Sequence, residues 1–452
     1  MFEDIFGNGA FMDTISVDYN RITGKIKPMH AVNNGPLKFR NDQTRHNQKS
    51  FKAAGIPYVR THDASFCASY GGEHTVDVHA VFPDFSADPY DTASYDFHLT
   101  DEYMELIKNS GAEIFYRLGS KIEHESKKYG TLPPSDFKKW AVICEHIIRH
   151  MNEGWANGHH YNIRYWEIWN EPDLDPDNSP NKRCWGGTKA EFFAFYKTAA
   201  LHLKECFPNL MIGGPALAYD LQWGEDFLKF MSGQTPRVPI DFFSWHIYSV
   251  CPEQIIDRSV QIRKLLEKYG YTESESILNE WNYVRGWGDA YIYSIKTIIS
   301  MKGAAFTASA MLSAQNAPID MLMYYDARPC VLNGMWDFYT MEPLKGYYPF
   351  LMFFELYNLG NAAVVDNAVK DIKAVAAVSE AGQAVMLSYY SDDDESTEVK
   401  EFELALSGMT SDKVIIEVLD LEHTMTKSEA VTTNGRIKLT MMKNSVVLIK
   451  NH

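Results

Sequence analysis

Between roughly residues 25 and 360, eight short apolar runs alternate with longer amphipathic stretches, and this repeat narrows the possible folds more than any other feature. Strand-then-helix alternation builds βαβ units around a parallel sheet. The runs lie at 27–33, 57–63, 112–119, 163–170, 210–216, 240–248, 276–282 and 322–327. Between them, stretches such as SDFKKWAVICEHIIRHM and QIIDRSVQIRKLLEKYG place apolar residues three and four apart. That is the period of a helix packed on one face. Ser135 stands where the N-cap of the first of these two helices belongs. Eight such units predict a closed (β/α)8 TIM barrel. An open doubly wound sheet is the alternative, but its glycine-rich first turn is missing.

Beyond about residue 362 the helical period stops. Runs such as AVMLSYY, VIIEVLD, RIKLTMM and SVVLI alternate with Gly, Asn and Asp turns, which predicts a C-terminal antiparallel β-sandwich. The expected division is a barrel over 21–360 and a sandwich over 361–452, joined by an N-terminal strand within 11–20. SDDDESTE (391–398) reads as a solvated hairpin loop.

A net charge of −16 repels phosphate, so nucleic acid and anionic membranes are not expected as partners. No run approaches the ~18 apolar residues of a membrane span. The opening MFEDIFGNGAFMDTISVDYN lacks both a basic segment and an unbroken apolar one, so a cytoplasmic protein is expected. Cys67, Cys144, Cys184, Cys206, Cys251 and Cys330 form no C-x-x-C pair and read as free thiols, most of them packed as small hydrophobes.

Barrel enzymes carry their chemistry at the C-terminal ends of the strands. The fourth run ends in Asn170-Glu171-Pro172 and the seventh in Asn279-Glu280-Trp281. Pro172 cannot extend a central strand, so the chain turns there and exposes Glu171. Two carboxyl groups facing one mouth suit glycoside hydrolysis. A separation of about 5–5.5 Å gives retention, and a wider one admits water and gives inversion. The second run ends in Arg60, His62 and Asp63, and the sixth in His246 and Tyr248. Either histidine alone reads as a satisfied core residue. Two of them, at the ends of strands beside the carboxylate strands, read as sugar contacts. KPMHAVNNGP ends the first run, and Asn33, Asn34 or His30 is placed at the pocket floor. There is no H-E-x-x-H helix and no His–carboxylate set with ligand spacing, so neither metal nor cofactor is expected. His159-His160 reads as solvent-facing.

YWEIWNEPDL together with ILNEWN resembles the acid/base and nucleophile motifs of the large clan of retaining barrel glycosidases. In detail the sequence is similar to glycoside hydrolase family 39, which contains β-xylosidases and α-L-iduronidases. The resemblance covers roughly residues 25–360, and the trailing sandwich also fits. It implies Glu171 as acid/base, Glu280 as nucleophile and Asn170 as the holder of the sugar 2-hydroxyl. It implies His62 in the subsite before the scissile bond, His246 and Tyr248 against nucleophile and sugar, and Arg60 as structural support. A β-xylosidase-like double displacement on a carbohydrate substrate follows, in a chain that is expected to be a homo-oligomer. Exo-action on short oligosaccharides is expected from the lack of a secretion signal.

The sequence also departs from the family. LMYYDARPC puts Tyr325, Asp326 and Arg328 where many clan members have a Trp. The Asp–Arg pair resembles uronate-binding groups, although a staple for the loop is the simpler reading. Asp63 is a second departure and is read as an acceptor for a sugar hydroxyl. Xylose, arabinose, galactose, glucose and a uronic acid all stay open. In the long loop 173–187, Trp185 either carries the leaving-group sugar or pins the loop, and Trp287 and Trp336 pose the same choice. A catalytically silent carbohydrate-binding barrel is the competing class.

Overall fold

The structure, a computed structural model, describes residues 13–39, 42–63 and 74–451. The chain divides into two compact units. One is Lys27–Phe354, and the other joins Met1–Ile26 to Glu355–His452. The division thus falls at 26/27 and 354/355, within the helix Tyr348–Leu359, rather than at 20/21 and 360/361.

The first unit is a closed barrel of eight parallel strands. In order they are Ala31–Asn33, Tyr58–Thr61, Glu113–Leu118, Tyr165–Ile168, Met211–Leu217, Phe242–Ser249, Glu275–Tyr283 and Met321–Tyr324. Each pairs with the next, and the eighth closes on the first. Side chains alternate along a strand, so every second residue points into the barrel. Ala31, Phe115, Tyr165, Phe242, Ile277, Met321 and Met323 form an apolar plug, with Tyr58 and Met211 packed against it. Two residues further along their strands come Asn33, Arg60, Arg117, Glu167 and Asn279, all fully buried. The barrel interior therefore changes from apolar to charged as it approaches the ends that carry function.

The helix Phe137–Glu153 is capped by Asp136, which accepts from Lys138 N and Lys139 N, and not by Ser135. A carboxylate there satisfies orphan donors and also opposes the helix dipole. Thr188 and Glu191 form a capping box at the start of Lys189–Cys206. Five free cysteines lie among the described residues. Cys144 and Cys184 are buried and Cys206, Cys251 and Cys330 half-buried, while Cys67 lies outside the described residues. No helix among the described residues is long and apolar enough to cross a membrane.

Among the described residues, the second unit holds nine strands in one hydrogen-bonded order. Neighbours are antiparallel except for Thr14–Lys25, which runs parallel to Val399–Ser407 and antiparallel to Asn361–Asn367. The anticipated N-terminal strand is thus longer than 11–20 at its far end, and residues 11 and 12 lie outside the described residues. Val414 and Met441 come from strands near opposite ends of that order, yet they share one core with Ile15, Leu387 and Phe402. The sheet therefore folds over on itself as a sandwich does. Residues 391–398 connect Gly382–Tyr389 to Val399–Ser407, which are not neighbours in the sheet. That segment is a crossing loop and not the hairpin anticipated.

Candidate active site

The site rests on Arg60. Its Nε donates to Glu167 Oε2 at 2.7 Å and its Nη1 to Asn33 Oδ1 at 3.0 Å. Nη1 also donates to Glu280 Oε1 at 2.8 Å, and Nη2 donates to Asn170 Oδ1 at 2.7 Å. Asn279 donates to the other oxygen of Glu167. A buried charge is tolerable only when paired and hydrogen-bonded, and this network meets that condition. Because Arg60 takes the amide oxygen of Asn170, the NH2 of Asn170 is turned the other way.

Local backbone irregularities aim the two carboxylates. The register between the sixth and seventh strands shifts between Leu278 and Glu280. A bulge of this kind re-aims a side chain. Consecutive residues Asn279 and Glu280 consequently both reach inward partners, Glu167 and Arg60. After the fourth strand, Trp169 and Glu171 adopt φ of 77° and 49°. Such left-handed residues are strained and cluster at functional sites.

His246 lies between the carboxylates, with Nδ1 2.8 Å from Glu171 Oε1 and 3.5 Å from Glu280 Oε2. One carboxylate oxygen of each glutamate and one nitrogen of His246 all lie within 4.8 Å of one another. Tyr248 donates to Glu280 Oε2 at 2.9 Å, and His62 Nε2 lies 3.8 Å from Glu280 Oε1. Burial raises Glu171 to about 7, well above its ordinary value of 4.5. Burial, aided by the charge of Glu171, also raises Glu280, while Arg60 and Tyr248 oppose that rise. Burial holds His246 down at about 4 and His62 well below its ordinary value, so both are neutral imidazoles at pH 7.

At the rim, Asp63 Oδ2 accepts from Tyr325 OH at 3.2 Å and lies 3.3 Å from Arg328 Nη2. Arg328 Nε lies 3.2 Å from Asp326, which is fully buried and raised by burial to about 6. The guanidinium of Arg328 is thus flanked by two carboxyl groups. Asn34 Oδ1 accepts from the backbone of His62 and Asp63 and so fixes that strand end.

Several sequence expectations change here. Asn33 is engaged beneath the carboxylates by Arg60, Asn279 O and Met323 O, so it supports the layer below the site and does not line an open floor. His30 packs on Phe353 and Phe354 and contacts Gly55 O. Trp185 is buried (3% exposed) among Trp169, Phe192 and Phe195, with Nε1 donating to Thr188 O. It pins the loop. Trp336 is likewise buried, stacked on Phe51. Trp287 is the open one, 59% exposed and edge-on to Tyr248 at 5.0 Å. His160 is exposed, but His159 is half-buried and turned to Asp101.

Residues 14–276 match the model of glycosyl hydrolases family 39. The chain belongs to that family. The match includes Glu171 and ends just before Glu280. A β-xylosidase from Caldicellulosiruptor saccharolyticus is 27% identical over 249 residues, 52% of this chain and 46% of its own length. The chain thus spans about half of that relative. Two crystal structures share the fold over 97% of this chain and 99% of theirs. One is a glucosidase from Croceicoccus marinus (TM-score 0.79, 20% identity) and the other a monomeric β-xylosidase from Caulobacter crescentus CB15 (TM-score 0.70, 16% identity).

Sequence reading missed three residues of this candidate site. Glu167 is the buried partner of Arg60, and a lone charge inside the apolar run YWEIW was its available signal. Asp173 accepts from the backbone of Ala218, Tyr219 and Asp220, tying the segment after Glu171 to the end of the fifth strand. Cys184 approaches Glu171 Oε2 at 3.7 Å. Nothing local in the sequence marks it, because the contact depends on how the loop folds back. Within that loop, Arg183 and Asp175 form an ion pair.

Proposed function

We propose that the chain is a retaining glycosidase that works by double displacement. Glu280, ionised, attacks the anomeric carbon, while Arg60 and Tyr248 steady its charge by hydrogen bonds. Glu171, protonated below about pH 7, donates to the leaving oxygen. Water then cleaves the glycosyl-enzyme, with Glu171 as base. Neutral His246 has one proton to place and donates it from Nδ1 toward Glu171. Asn170 offers its NH2 to the 2-hydroxyl, and His62 and Asp63 contact the glycone.

The observation that carries this reading is the approach of carboxylate oxygens of Glu171 and Glu280 to within 4.8 Å. It lies near the ~5–5.5 Å of retaining enzymes and short of the ~6.5–9.5 Å of inverting ones. The β-xylosidase relative supports xylosides as the substrate, and the glucosidase neighbour makes glucosides the second choice; exo-action on short oligosaccharides is part of the same proposal. Arg328 is already flanked by Asp63 and Asp326, which disfavours a uronate. The test is a panel of aryl xylosides, arabinosides, galactosides, glucosides and glucuronides, with proton NMR of the first sugar released. One neutral glycone is expected to turn over and appear with its configuration retained. Inverted product would overturn the mechanism, and sugar binding without turnover would favour a silent barrel.

A second reading has one observation behind it, since Glu171, His246 and Glu280 present three ligand atoms to one another. The guanidinium of Arg60 against Glu280 opposes a cation there. Chelator is therefore expected to leave turnover unchanged, and loss of activity that returns with added metal would favour that reading.

A further inference from the structure

Away from the barrel mouth, the first turn of helix His98–Asn109 meets the last turn of helix Phe137–Glu153 and the segment that follows it. Gly154 ends the second helix with φ 77°, and Ala156 and Asn157 keep the chain left-handed. The segment then doubles back. His159 N donates to His150 O at 2.6 Å, Gly154 N to His159 O at 3.0 Å and Tyr161 N to Met151 O at 3.0 Å. Both imidazoles are held by stacking, His150 on Phe97 and His159 on Tyr161.

The ring nitrogens pose a proton problem. His150 Nδ1 lies 2.8 Å from Trp155 O, and Nε2 lies 2.8 Å from Asp101 Oδ1. Both neighbours are acceptors, and a neutral imidazole has only one N–H. His159 Nε2 is buried without a hydrogen-bond partner, 3.1 Å from the same Asp101 oxygen. Two ring nitrogens and one carboxylate oxygen thus converge within 4.8 Å. A cation among them would accept all three lone pairs. His150 would then keep its proton on Nδ1 for Trp155 O, the backbone contact that commonly orients a metal-binding histidine.

We propose that Asp101, His150 and His159 form a binding site for a divalent transition metal. Two imidazoles and one carboxylate suit Zn2+, Co2+ or Ni2+ better than the all-oxygen preference of Ca2+ or Mg2+. Asp101 and His159 are about one-third exposed, which leaves a coordination position for water. The metal would join the two helices and the returning segment, apart from the glycosidase carboxylates.

The test is calorimetric titration of the tag-free full chain with Zn2+ and Co2+, repeated on Asp101→Asn and His159→Ala. Asp101→Asn is isosteric and His159→Ala alters a surface segment, and circular dichroism melts check that both fold. The wild type is expected to bind one equivalent at micromolar affinity or tighter. Each variant is expected to weaken that equivalent at least about tenfold, as loss of even an outer partner does. No uptake by the wild type would overturn the proposal, leaving His150 and Asp101 as a hydrogen-bonded pair. Equal uptake by wild type and both variants would overturn it as well, placing the metal elsewhere.

Discussion

Glu171 carries a stability cost that can be measured. Its folded value of about 7 lies above its ordinary 4.5, so folding favours the protonated form. The stabilisation is fully present below pH 4.5 and is lost as pH rises through about 7. The loss is about 3 kcal/mol by linkage. Glu171→Gln is expected to be more stable than wild type at pH 8, by up to that amount, and about equal to it near pH 4.5. Denaturant titrations at the two pH values check this, and a variant no more stable at pH 8 would refute it. The same substitution is expected to slow poor leaving groups far more than activated aryl glycosides and to abolish the decline of kcat/KM above about pH 7. Both carboxylates were legible in sequence, because NEP follows one apolar strand and NEW lies in the C-terminal half of another, near the positions where barrels place chemistry. Glu167 was not, since a charge inside a strand has meaning only once Arg60 is known to face it. Replacing Glu167 with Leu leaves Arg60 buried with one fewer carboxylate and is expected to cost about 3–5 kcal/mol, measured by denaturant unfolding.

The strand ends show what local sequence can and cannot give. All eight barrel strands were legible from apolar runs, in order, with edges displaced in either direction by up to four residues. The first is the shortest, only Ala31–Asn33. The bulge beside Asn279 was not legible, because a register shift belongs to a pair of strands and not to one. Trp185 and Trp287 looked alike in sequence, as both are aromatic residues in loops following carboxylate strands, and only tertiary packing separates them. Trp185→Ala is expected to cost about 3–5 kcal/mol of stability. Trp287→Ala is expected to change stability by no more than about 0.5 kcal/mol. If its ring stacks on sugar, KM rises about two- to tenfold, the equivalent of ~0.5–1.5 kcal/mol. Thermal melts and initial-rate kinetics on the pair check both, and a large stability loss with Trp287→Ala would contradict the assignment.

At the scale of the whole chain, the N-terminal strand belongs to the C-terminal unit. Its residues Ile15 and Val17 are buried in the sandwich core, so that core is completed by segments more than 300 residues apart. Its alternating TISVDY pattern suggested the pairing, but the parallel register with Val399–Ser407 could not be read from either strand alone. Ile15→Ala is expected to cost about 2–5 kcal/mol in the unfolding of that unit. In the barrel, two glutamates from strands far apart in sequence are proposed to act across one bond. The most direct measurement is turnover of an activated aryl glycoside of the preferred sugar by Glu280→Ala, with and without azide. Activity lost in the variant and restored by azide, with a glycosyl azide of inverted anomeric configuration as product, is the expected result. Substantial activity without azide, or an azide product of unchanged configuration, would show that Glu280 is not the nucleophile.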